Sequence, residues 1–102
     1  MTRYRLSREA RNDLDDILDY LDTQSQAASS RVESQLIESF KFLAENPSAG
    51  HLRQDLTDIA LRFWPVGKYL IVYIPQTRPL KIAAILHGAR DIENILQDRM
   101  DD

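Results

Sequence analysis

The chain has 102 residues, 43% of them hydrophobic, with 13 Lys and Arg against 16 Asp and Glu and no cysteine. That is enough apolar material for one domain, spanning 1–102, with a real core, and it excludes disulfides and thiolate metal sites. No stretch approaches the roughly 20 apolar residues that cross a bilayer, and Met1 to Leu6 lacks a leader's apolar run, so a soluble, cytoplasmic protein is expected.

The net charge of -3 hides an asymmetry. Residues 1–50 carry nine acids and six bases, and residues 91–102 are again acidic. Between them, residues 51–90 carry two acids (Asp55, Asp58) against six bases: Arg53, Arg62, Lys68, Arg78, Lys81 and Arg90. Such a stretch could meet phosphate or an acidic peptide; the plainer account is that strands and loops carry ordinary solubilising charges.

In chain order, Tyr4 to Leu6 is a short strand candidate. Ser7 is placed to cap a following helix, with Glu9 complementing its dipole. Ala10, Leu14, Ile17, Leu18 and Leu21 form an apolar helical stripe, with Asp13, Asp15, Asp16, Asp19 and Asp22 mostly off it. Thr23 to Ser30 reads as a polar break. A second helix carries Val32, Leu36, Phe40, Leu43 and Ala44 on one side and stops before Pro47. Two such helices predict an antiparallel hairpin.

Asn46 to Asp58 reads as a loop. Three strand candidates follow: Ile59–Trp64, Tyr69–Ile74 and Leu80–His87, all short, β-branched or aromatic, and bounded by Pro or Gly. Their links, Pro65 to Lys68 and Pro75 to Pro79, are short enough for an antiparallel meander. A helical turn or two is expected from Asp91 to Arg99. The order β-α-α-β-β-β indicates an α+β fold, with the hairpin packed on a small antiparallel sheet.

Few patterns carry chemistry. The three glycines lie too far apart for a phosphate loop. His51 and His87 have no ligand spacing, so neither a metal nor a cofactor is expected. The acidic run on the first helix is most simply a solvated face. Arg62, Lys81, His87 and Arg90 remain as a candidate cationic site. Arg62 must point away from the face shared by Leu61 and Phe63, and counting in twos puts Lys81 and His87 on one strand face. Trp64, Tyr69 and Tyr73 read as core and strand residues.

Taken together, YRLSREARNDLDDILDYL, FLAENPSAG, LRFWPVGKYLIVYIP and ILHGARDIENIL carry a resemblance. From Tyr4 to about Leu96 the chain resembles the RelE/ParE superfamily of small bacterial toxins, and within it the ParE, or plasmid-stabilisation, branch. The resemblance implies the toxin of a type II toxin–antitoxin system, neutralised by a ParD-like antitoxin. For the ParE branch it implies inhibition of DNA gyrase by binding, with no catalytic residues and no sequence-specific contact of the toxin alone with nucleic acid. Arg62, Lys81, His87 and Arg90 would then meet the target. The RelE branch implies a ribosome-dependent messenger RNA endoribonuclease instead. Arg62 and Arg90 match that family's arginine positions, but no tyrosine follows Arg90. An antitoxin helix would lie on a surface including Leu14, Leu18, Leu21 and Tyr73; the competing account makes all four internal core.

Overall fold

The computed structural model describes residues 3–52, 61–88, 95, 98 and 99. β1 (Tyr4–Leu6) leads into α1 (Arg8–Gln24) and α2 (Gln26–Glu45), followed by β2 (His51–Leu52), β3 (Arg62–Val66), β4 (Tyr69–Ile74) and β5 (Leu80–His87). The fold is α+β, two helices on one sheet, as the sequence predicts.

Ser7 caps α1 from an extended backbone, its Oγ accepting the Ala10 N–H at 3.0 Å. The polar break expected from Thr23 to Ser30 shrinks to Ser25 alone. That residue closes α1 with its N–H on the Leu21 carbonyl and opens α2 with its Oγ on the Ala28 N–H. One residue serving both ends lets the alanines behind it stay helical. Ser29, buried at the crossing, donates from Oγ to the Leu18 carbonyl and ties the two helices together. α2 ends at Asn46, one residue before Pro47, as expected.

The five strands run in the order β1-β5-β4-β3-β2. β3, β4 and β5 form the expected meander, and β4 and β5 have the predicted bounds. Two features were not anticipated. β1 lies parallel to β5, which makes the sheet mixed, and the two-residue β2 pairs with β3 inside the segment read as loop. β3 also runs on through Pro65, because the turn is only Gly67-Lys68. Proline fits there: β2 pairs only with Arg62 and Phe63, so β3 is an edge at Pro65 and the missing N–H costs no ladder bond. Gly67 supplies the positive φ of 58° that a two-residue hairpin needs. Ile59 and Ala60, the start of the predicted first meander strand, lie outside the described residues, as does most of the predicted tail helix; Ile95, Asp98 and Arg99 are helical.

The sheet has an apolar cluster on each face. Beneath the helices, Ala10, Leu14, Leu36, Phe40 and Leu43 pack on Ile71, Tyr73, Leu80, Ile82 and Ile85. On the other face Leu61, Phe63, Val72, Ala84 and Leu86 pack together, with Ile95 of the tail against them.

Candidate functional site

Strand alternation decides where each candidate cation goes. Arg62 pairs with Tyr73 and faces the helices. There its Nη1 donates to the Gly50 carbonyl at 2.7 Å and to the Ser48 carbonyl at 3.3 Å. Tyr73, fully buried, completes the corner: its hydroxyl accepts the Gly50 N–H at 2.8 Å and donates to the Pro47 carbonyl at 2.7 Å. Burial raises the Tyr73 pKa above its ordinary value, against the opposing effects of the Gly50 N–H and the Arg62 charge. Gly50 is required here, since a Cβ would sit 2.5 Å from the Tyr73 hydroxyl and 3.0 Å from the Phe63 carbonyl. Arg62 thus anchors the chain after α2 to the sheet.

Lys81 and His87 do not share a face, contrary to the count in twos. A bulge intervenes: Tyr73 pairs with Ile82 but Val72 pairs with Ala84, leaving Ala83 as an extra residue. The phase of β5 therefore changes. Lys81, paired with Ile74, lies on the face away from the helices, whereas His87, paired with Tyr69, lies on the helix side. The two are about 20 Å apart along the strand. Arg90 lies outside the described residues.

The bulge frees backbone groups just where β1 ends, and three side chains satisfy them. Ser7 Oγ donates to the Ala83 carbonyl at 3.2 Å, and Asp13 Oδ2 accepts the Ile85 N–H at 3.0 Å. Arg99 grips Asp13 through both guanidinium ends, at 2.9 and 2.8 Å, and also reaches the Ala83 carbonyl. That hydrogen-bonded pairing raises the Arg99 pKa. Asp13 is therefore no part of a solvated acidic face, although Asp15, Asp16, Asp19 and Asp22 are exposed. Its spacing carried the signal: it falls three after Ala10 and one before Leu14, on the stripe that faces the sheet.

At the far end of α1 an open groove of about 420 Å³ runs between the helix and the sheet. Ile17, Tyr20, Leu21, Tyr69 and Ile85 line it together with the polar Asp13, Asp16, Lys68 and His87. Tyr20 is 64% exposed, and the His87 ring stands edge-on to Tyr69 at 5.7 Å. Of the four apolar residues expected to meet a partner, Leu14 and Tyr73 are buried in this chain's own core and have almost no surface to offer. Leu18 and Leu21 are half-buried. Among the described residues no group of three or more His, Asp or Glu is placed to hold a metal ion.

The family model described as "ParE toxin of type II toxin-antitoxin system, parDE" matches residues 4–92. The chain belongs to the ParE toxin family. A solved structure titled "Chromosomal ParDE TA system from P. aeruginosa" superposes with a TM-score of 0.67, covering 82% of this chain and 92% of that one at 17% identity. At that identity the likeness speaks for a shared ParE fold. Among curated proteins none matches the sequence significantly. No helix among the described residues of this ParE-family chain is long and apolar enough to cross a membrane.

Proposed function

We propose that this ParE-family toxin acts in the cytoplasm by binding DNA gyrase, without cutting RNA, and that a ParD-like antitoxin holds it inactive. The observation that carries the first part is the dispersal of the cations. A ribonuclease needs groups that converge on one phosphate, to deprotonate the 2′-hydroxyl and to stabilise the charge that develops. Arg62 is engaged with the Ser48 and Gly50 carbonyls, while Lys81 and His87 sit on opposite faces of the sheet. Those three cannot converge, so the endoribonuclease reading loses most of its set. His87, and Arg90 beyond it, remain candidates for meeting gyrase.

The antitoxin reading is supported by the groove beside α1. Its apolar lining of Ile17, Tyr20 and Leu21 follows helical spacing and continues onto Tyr69. An amphipathic helix that folds on binding would fit such a surface. Of the predicted set, Leu21 lines this groove, while the half-buried Leu18 lies outside it.

Paired assays test the whole reading. The purified chain is expected to inhibit supercoiling by gyrase and to leave messages intact in a translation extract; cleaved codons with normal supercoiling would reverse the assignment. Tyr20→Ala is expected to weaken antitoxin binding about tenfold with no loss of fold, as for an exposed aromatic anchor.

A further inference from the structure

The described carboxylates are confined to the helices. Glu9, Asp13, Asp15, Asp16, Asp19, Asp22, Glu33, Glu38 and Glu45 lie on α1 and α2, and Asp98 lies in the tail. Described residues of the strands and their turns carry cations only. Among the described residues, an acidic helical layer thus lies on a basic sheet.

The basic side is sharpest where β1 meets β5. Tyr4 and Leu6 face the helices, so Arg5 between them points to the opposite face. Its partner in the ladder is Lys81, which the bulge leaves on that same face. Two cations thus stand side by side on neighbouring strands, about 5 Å apart at the backbone. Arg5 is exposed, Lys81 half-exposed, and no carboxylate among the described residues pairs with either. Arg78, exposed in the turn that feeds β5 with its Nη1 donating to the Pro75 and Thr77 carbonyls, adds a third positive charge at this end of the strand. Like charges directly opposite in a sheet destabilise it. A carboxylate in place of Lys81 would relieve that cost by pairing with Arg5, and the sequence does not use one.

We propose that Arg5, Lys81 and Arg78 form a binding patch for the phosphate backbone of duplex DNA. An anion between Arg5 and Lys81 converts their repulsion into two attractive contacts, and the arginine fork matches phosphate geometry. A duplex suits the patch better than an acidic peptide does. A disordered peptide must offset its ordering entropy with apolar anchors, and the nearest apolar side chain on this face, Ile74, is already packed against the cluster there. DNA is stiff, and its binding is driven by released counterions. The carboxylates of α1 and α2 lie across the sheet from Arg5 and Lys81, while the tail that carries Asp98 reaches this face at Ile95. The patch lies apart from the groove beside α1, so it leaves that groove open to a protein partner, and it does not depend on gyrase being the target.

The test uses the full chain with a fluorescein-labelled 30-base-pair duplex, read by anisotropy, and a labelled polyglutamate peptide as the competing occupant. Three phosphate contacts predict an affinity loss of about 40-fold between 50 and 200 mM salt. Lys81→Glu restores an opposite-charge pair with Arg5, so its melting temperature should hold or rise while duplex binding is lost. Arg5→Gln, which keeps most of the side chain, should weaken binding and flatten the salt slope by about 1. The proposal is overturned if the duplex does not bind at 50 mM salt, if Lys81→Glu binds it as well as the parent chain, or if polyglutamate binds more tightly than DNA.

Discussion

The Tyr73 corner and the Ala83 bulge meet the same difficulty, backbone groups turned away from any ladder, by different means. At the corner a neutral hydroxyl serves Gly50 and Pro47 at once beside Arg62 on the Ser48 and Gly50 carbonyls, and it works because Gly50 leaves room. At the bulge a carboxylate and a guanidinium do the work, on side chains that are 14% and 21% exposed. One is set by shape and the other by charge. The corner should therefore fail when volume is added, whereas the bulge should tolerate small changes of shape and respond to the loss of either charge.

The largest effect expected is Gly50→Ala, whose methyl would collide with the Tyr73 hydroxyl and the Phe63 carbonyl. Overpacking together with a displaced hydrogen bond should cost about 3 kcal/mol in urea unfolding. A cost below about 1 kcal/mol would mean the corner is not set by shape. Asp13→Ala comes next, since it leaves the Ile85 N–H without its acceptor and strands Arg99; about 2.5 kcal/mol is expected. Asp13→Asn keeps an acceptor for that N–H and removes only the charge, so about 1 kcal/mol should separate it from the parent chain. Equal losses for the two variants would show that charge is irrelevant at the bulge.

Tyr73→Phe should cost about 2 kcal/mol, with a signature in pH as well. The folded pKa of Tyr73 is raised above its ordinary 10.0. The unfolded chain therefore ionises first, and this residue's contribution is intact below pH 10 and declines as pH climbs past it. Tyr73→Phe should remove that share of the alkaline decline, visible as a flatter stability curve above pH 10. The smallest effect belongs to Arg3 and Glu45, a pair at 3.5 Å with side chains 71% and 62% exposed. Arg3→Ala should cost about 0.3 kcal/mol, and nothing in 1 M salt.

How much of this could be read in advance depended on whether a rule was local. The cap at Ser7, the stop before Pro47 and the bounds of β4 and β5 follow from neighbouring residues, and the structure agrees with each. The double duty of Ser25 was hidden because serine next to Gln24 and Gln26 reads as loop whether or not its side chain finds an N–H. β2 has only two residues, too few for alternation to register. The bulge at Ala83 was the costly miss. A run such as Leu80 to His87 has small or apolar residues on both sides, so nothing in it marks where the alternation slips. Without the slip, counting in twos puts Lys81 and His87 on one face and makes the cations read as one site. Asp13 was passed over because four neighbouring aspartates suggested a single shared role.

The pairing of β1 with β5 has a consequence for how the molecule is made. Among the described strands β1 pairs with β5 alone, and Ser7 and Asp13 find their carbonyl and amide there as well. A chain emerging from the ribosome can form the helical hairpin early, with Tyr4 against Phe40, yet β1 has no strand partner until translation has passed His87. Contacts so distant in sequence slow folding and expose apolar surface meanwhile. The nascent polypeptide therefore carries an uncovered hairpin until β5 is available to join β1.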